Sequence, residues 1–300
     1  MTLDRLLFGD NQFFGVNHMS EEKARQQLAR FKDTQAVIDV LDVAYGMGVR
    51  TFMCTTHDRI GEICDHMRAQ PTRYADFVYL PCMPYAHKYA DSLGQVGIIE
   101  TVKRFAGGDL LSTIYLGALG TATRDVSRLM KLLVDAEMRR FHGLQTPVVF
   151  LQNVVTDLLL GMRLYDLFAE FHAYVAKRYG AEAGFITMNL PALLEALERV
   201  GVRNPIICAN INKIGFRMCG GIDAYRSALA SGRCRAVAMS VFASGAIPPR
   251  EAIEWVCGLE GVHSIVFGAS SAENIRNTRE LVESAWGRDA VRLQTPAAAV

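Results

Sequence analysis

A (β/α)8 barrel is the fold class the sequence predicts, and three observations predict it. Short apolar runs recur along the whole chain, amphipathic helical stretches lie between them, and no Pro- or Ser-rich linker or shift in composition marks a domain boundary. Fully apolar strands alternating with helices imply a parallel sheet covered on both faces. Three hundred residues suit one such barrel, so a single domain over residues 1–300 is the simplest organisation.

The strand runs are residues 5–10, 51–56, 77–81, 112–116, 147–152, 184–188, 205–209, 236–241 and 264–267. That is nine runs for eight barrel places, and 112–116 is the run set outside the eight. Between them the helices have readable ends. Asp33-Thr34 caps a helix whose Val37, Leu41 and Ala44 share a face before Gly46 and Gly48. Val126, Leu129, Met130, Leu133, Val134 and Met138 recur at three- and four-residue spacing until Gly143 stops the pattern. Pro191 suits a first helical turn, Leu193, Leu194, Ala196 and Leu197 its core face, and Gly201 its exit.

Composition narrows the function classes. Half the residues are apolar and 21% are charged, which excludes a disordered or fibrous chain. Lys+Arg number 32 against 31 Asp+Glu, with no basic tract, so neither nucleic acid nor an anionic membrane is an expected partner. The first ten residues lack the pattern of a signal peptide and nothing later approaches a membrane span, so a cytoplasmic location is expected. Seven cysteines without CxxC spacing read as reduced thiols, mostly core packing.

In such a barrel the βα loops at the C-terminal ends of the strands carry the chemistry. Polar residues crowd those ends. Cys54-Thr-Thr-His57-Asp58-Arg59 packs thiol, imidazole, carboxylate and guanidinium into six residues, with His57 as proton shuttle and Asp58 either orienting it or acting as a base. In a bland turn, Asp58 and Arg59 would instead pair with each other. The loop after the third strand adds Tyr85, His87 and Lys88: Tyr85 to donate to a carbonyl oxygen, Lys88 to hold an anion or form a Schiff base. Cys54, His57, Cys82 and His87 form a conceivable metal set, although no metal motif has this spacing, and a bound metal is not favoured. Asn11, Gln12, Gln152, Asn153, Asn210 and Asn212 supply amides that suit a small polar or carbonyl substrate, and Lys213 and Arg217 offer cations for an anionic group. His18, His66, His142, His172 and His263 receive no role.

The stretch Gly261-Val-His-Ser-Ile-Val-Phe-Gly268-Ala-Ser-Ser271-Ala-Glu-Asn274-Ile-Arg276-Asn277-Thr278 resembles the closing strand and helix of the aldo-keto reductases. Asn189, Asn210 to Arg217, Ala238 to Gly245, and Gly48 to Phe52 with Gly61-Glu62 resemble other segments of that family in the same order. The resemblance implies that Gly268, Ser270, Ser271, Asn274 and Asn277 hold the adenosine phosphate of NADPH. A helix N-terminus among small residues suits an anion, and Arg276 adds a charge-assisted contact. Where the family has its catalytic Asp, Tyr, Lys and His, this sequence has Met53, Asp58, Cys82 or Met83, and Gln152, and Met239 stands where the nicotinamide-stacking aromatic belongs. The leading expectation is therefore an NADPH-dependent oxidoreductase of a small polar carbonyl with a replaced acid–base set. His57 and Asp58 move protons, Tyr85 or Lys88 polarises the carbonyl, and Gln152 and Asn189 orient substrate or nicotinamide, with Asn11, Gln12, Arg59, His87, Asn153, Asn212 and Arg217 around the substrate. A non-redox lyase, aldolase or isomerase and a catalytically silent binding protein are the alternatives.

Overall fold

The computed structural model describes residues 3–15, 20–85 and 123–287. Eight strands in the order β1 to β8 close into a parallel barrel. They are β1 (Leu6–Gly9), β2 (Thr51–Thr55), β3 (Val78–Met83), β4 (Val148–Leu151), β5 (Glu182–Thr187), β6 (Ile206–Asn210), β7 (Arg235–Met239) and β8 (Val262–Phe267). Each overlaps one of the predicted runs, with ends shifted by up to two residues, and the run at 112–116 lies outside the described residues. The helices among the described residues are α1 (Glu21–Arg30), α2 (Thr34–Gly46), α3 (Asp58–Arg68), α4 (Thr123–Met138), α5 (Asn153–Gly161), α6 (Asp166–Tyr179), α7 (Leu190–Arg199), α8 (Gly221–Ala230), α9 (Pro249–Cys257) and α10 (Ala272–Trp286). None is long and apolar enough to cross a membrane.

The helix ends are capped by local side chains. Asp33 caps α2 by accepting from the Gln35 N–H at 3.0 Å, and Asn189 caps α7 by accepting from the Ala192 N–H at 3.3 Å. Helix α4 runs into a 3-10 turn, Arg139–Phe141, and Gly143 beyond it takes a left-handed φ of 77°. Helix α1 went unread because its residues, EEKARQQLAR, are nearly all polar and draw no apolar stripe.

Residue contacts divide the chain into two compact units, Met1–Met53 with Asn210–Val300, and Cys54–Ala209. In the first, β1 pairs with β2 (Phe8 opposite Phe52) and with β8 (Phe8 opposite Phe267). Asp4 binds the starts of both partner strands: its carboxylate accepts from the Thr51 hydroxyl and its carbonyl from the Ser264 hydroxyl. In the second, β3, β4, β5 and β6 pair in sequence. Gly184 of β5 sits opposite Phe150 of β4, where a Cβ would come within 2.4 Å of the Phe150 ring. Strand β4 is buried along its whole length, as a strand covered on both faces must be.

Candidate functional site

In the Cys54–Ala209 unit, β2 gives way to α3 across Thr56 and His57, and His57 takes the N-cap position. Its Nδ1 accepts from the Arg59 N–H at 3.2 Å, in the place where a Ser or Asp oxygen usually stands. A ring nitrogen that accepts carries no proton, so the neutral imidazole holds its proton on Nε2. The Tyr85 ring, just beyond β3, stands 6.0 Å away, centroid to centroid, at an angle of 64°. Asp58 Oδ1 accepts from Arg140 Nη2 at 2.6 Å, and the Arg59 N–H donates to the His57 ring.

Two residues that the sequence reading missed hold this region. Glu137, in the last turn of α4, is 4% exposed and accepts from the Thr56 hydroxyl and from the Tyr85 N–H, 3.1 Å from Oε1. Arg140, in the 3-10 turn that follows, donates through Nη1 to the Thr56 carbonyl. A buried carboxylate persists where its oxygens are bonded, and here both donors belong to strand-end loops. The available signal was Glu137 itself, spaced onto the same helical face as the buried Val126, Met130, Leu133 and Val134.

Asp157 of α5 makes a parallel arrangement. Its carboxylate accepts from the Thr187 hydroxyl at the end of β5 and from the Met188 N–H at 3.0 Å, while Thr187 Oγ1 accepts from the Asn189 N–H at 2.9 Å. Burial lifts the Asp157 carboxyl above its ordinary value, while the Thr187 and Met188 bonds pull it down. The Asn189 Oδ1 is taken by the α7 cap, which leaves its NH2 group as a donor. Gln152 precedes α5, nearly buried, with its N–H on the Met83 carbonyl at 3.0 Å, and Asn153 opens that helix partly buried. Cys54 and Cys82 are buried thiols. Among the described residues no three His, Cys, Asp or Glu side chains group so as to hold a metal ion. His87 and Lys88 lie outside the described residues.

In the other unit, the single 3-10 turn Asn11–Phe13 follows β1. Phe13 anchors it, with ring centroids 6.0 Å from Phe8, 5.0 Å from Phe31 and 6.4 Å from Phe52. Asn11 is exposed, whereas Gln12 is 5% exposed; its Nε2 donates to the Gly9 carbonyl at 2.8 Å and its Oε1 has no donor among the described residues. Beyond β8, a Cβ on Gly268 would come within 2.2 Å of that oxygen, so a larger residue there would turn the Gln12 amide aside. Ser271 caps α10 by accepting from the Asn274 N–H at 3.3 Å, and Arg30 of α1 donates to the Ser270 hydroxyl and carbonyl. Asn274, Arg276 and Asn277 lie exposed on the first turns of α10, as does Glu273. A helix N-terminus, hydroxyls and two arginines fit a phosphate, and the orphaned Gln12 oxygen fits a ligand hydroxyl or amide donor. These residues therefore suit the phosphate end of a dinucleotide.

The remaining polar candidates of this unit have local duties. Asn212 is fully buried, donating to the Phe216 carbonyl at 2.9 Å and accepting from the Phe216 N–H at 2.8 Å, so its amide closes its own loop. Asn210 donates to the Arg217 carbonyl at 3.1 Å. Arg217 is exposed at a left-handed φ of 55°, over the Phe216 ring, and Lys213 pairs with Glu251 at 2.7 Å. After β7, Ser240, Ala243 and Ser244 all take left-handed φ values of 54°, 45° and 59°. Such strain gathers at ligand-binding turns more often than elsewhere.

No family model matches this chain, and no curated protein matches it in sequence. Solved structures do match. A Pseudomonas aeruginosa protein assigned provisionally to the aldo-keto reductases superposes at a TM-score of 0.57 with 15% identity, over 94% of this chain and 90% of that one. Aldose reductase from Giardia lamblia gives 0.54 and 12%, over 97% and 91%. The holo form of an aldo-keto reductase from Bacillus halodurans gives 0.50 and 12%, over 96% and 90%. The fold is a (β/α)8 barrel similar to the barrels of these aldo-keto reductases. On it, the positions where the resemblance expects catalytic Asp and Lys carry Met53, 6% exposed, and either Cys82, 6%, or Met83, 0%. A thioether has no proton to move, so Met53 can do no acid–base work.

Proposed function

We propose that the protein is an oxidoreductase that reduces a small polar carbonyl compound with NADPH, and that His57 and Tyr85 act on the carbonyl oxygen. The observation that carries this reading is the His57 cap: with Nδ1 accepting from the Arg59 N–H, the ring carries its proton on Nε2, and the Tyr85 ring stands 6.0 Å away. NADPH, when bound, supplies the hydride that adds to the carbonyl carbon. His57 Nε2–H donates a hydrogen bond to the oxygen as negative charge gathers there. The Tyr85 phenol gives that oxygen its proton and regains one from water, which completes the alcohol. Arg140 neutralises Asp58, and the Asn189 NH2 group, with Gln152, orients the substrate or the nicotinamide carboxamide. For the cofactor's phosphate end, Ser270, Ser271, Asn274, Arg276 and Asn277 serve with Arg30 beside them, and Gln12 Oε1 takes a donor of the ligand.

The test is a fluorescence titration with NADPH and with NADH, followed by turnover of small hydroxylated aldehydes and ketones. Binding near micromolar, about 8 kcal/mol, tighter for NADPH than NADH and weakened by Arg30→Ala, is the expected result. His57→Ala and Tyr85→Phe should then lose turnover while keeping NADPH. Absence of NADPH binding to millimolar concentration would overturn the reading. The methionines at 53 and 83 favour, as the second reading, a lyase or isomerase acting through His57 without redox chemistry, and substrate conversion with no NADPH consumed would select it.

A further inference from the structure

We infer that Glu137 is a positioning residue that sets the relation between His57 and Tyr85, an inference that rests on the reading of that pair as the carbonyl-acting groups. One buried carboxylate accepts from two donors on two different loops: the Thr56 hydroxyl, next to His57 in the chain, and the Tyr85 backbone N–H. It rides on the last turn of α4, a helix packed through Val126, Met130, Leu133 and Val134, so its own place is fixed by the core. Arg140, three residues on, takes the Thr56 carbonyl, so Thr56 is gripped at its hydroxyl and at its backbone by the same stretch of chain. Loops at strand ends otherwise move independently. Bridging them through one rigid carboxylate fixes the spacing of the two rings, 6.0 Å between centroids.

The chemistry of the bridge requires an acceptor at both oxygens. Thr56 and Tyr85 both donate; a glutamine would keep its oxygen for the Tyr85 N–H and set its NH2 group against the Thr56 hydroxyl, which must turn its own proton away to accept. Glu137→Gln therefore reverses the Thr56 bond and removes its charge at nearly constant volume, and Thr56→Val removes that bond altogether. Glu137 acts through the loops it holds and moves no proton of the reaction.

The experiment follows the imidazole nitrogen resonances of His57 by 15N NMR on the full-length protein, assigned by their loss in His57→Ala, alongside NADPH affinity and carbonyl-reduction kinetics. Glu137→Gln and Thr56→Val are expected to keep a cooperative thermal transition and NADPH affinity within about twofold. Their His57 signals should leave the single Nε2–H pattern for an exchanging mixture of tautomers, and kcat should fall about tenfold or more with KM changed by less than about threefold. Parental His57 signals in both folded variants would overturn the inference. If Glu137→Gln does not fold, Thr56→Val decides alone. If the parent protein reduces no carbonyl, the proposed activity fails, and the His57 signals still settle the positioning role by shifting or not.

Discussion

The loop after β2 and the loop after β8 are held in opposite ways. The first is gripped by a buried carboxylate and by Arg140, whose bonds reach the Thr56 hydroxyl, the Thr56 carbonyl, the Tyr85 N–H and Asp58. The second is capped by its own Ser271 and steadied by Arg30, an exposed side chain on the hydroxyl and carbonyl of Ser270. A group that orients a reacting atom gains from fixed geometry, because misplacement by an ångström is felt in rate. A site for a phosphate gains from reachable N–H groups and mobile cations, because charge attracts over a distance and tolerates adjustment. The contrast thus separates a region built for angle from a region built for charge.

Four substitutions test that contrast. The largest loss of stability should follow Glu137→Ala, which strands two donors among buried groups; about 3 kcal/mol in urea unfolding is the expected cost. A cost below about 1 kcal/mol would mean that water replaces the carboxylate easily and that the grip is weak. Gly268→Ala comes next, because the added methyl must displace the Gln12 carbonyl oxygen from 2.2 Å. About 1–2 kcal/mol of stability should be lost with a matching loss of NADPH affinity, read by denaturation and titration on the same sample.

Arg30→Ala should leave stability within about 0.5 kcal/mol and raise the NADPH Kd about tenfold at low salt, an effect that shrinks as salt is added. An affinity loss unchanged by salt would show that Arg30 shapes the loop and does not attract the anion. The smallest effect is a slope. Burial raises the Asp157 carboxyl in the folded state above its ordinary 3.8, so the folded protein holds that proton to higher pH than the unfolded chain does. Stability from this group is therefore full below the ordinary value and declines as pH rises through the raised one. Asp157→Asn should remove that decline from urea midpoints measured between about pH 4 and 8.

The barrel was legible because strands buried on both faces are apolar along nearly their whole length, and Val148–Leu151 or Ile206–Ala209 can hardly be read otherwise. The cap at Asp33 was legible because its chemistry is local, a side chain meeting an N–H two residues on. Glu137 was not, since its partner Thr56 lies 81 positions away and only the fold joins them. What the sequence did display was a carboxylate on an apolar helical stripe, a placement that demands donors. Asn212 misled in the other direction. An asparagine at a strand end reads as a ligand donor, and nothing in the letters tells that its amide closes the turn to Phe216.

Helix α3 is tied at both ends to one short stretch, residues 139–142. Arg140 holds its start through Asp58 and the Thr56 carbonyl, and Arg68 at its end donates to the Arg140 carbonyl at 2.7 Å and the His142 carbonyl at 3.0 Å. A helix whose first turn would ordinarily fray is thereby coupled to the end of α4. Its opening amides should exchange with deuterium as slowly as those of its middle, in one cooperative step shared with residues 139–142. The His57 segment then cannot open by itself, and any opening there must release both helices together.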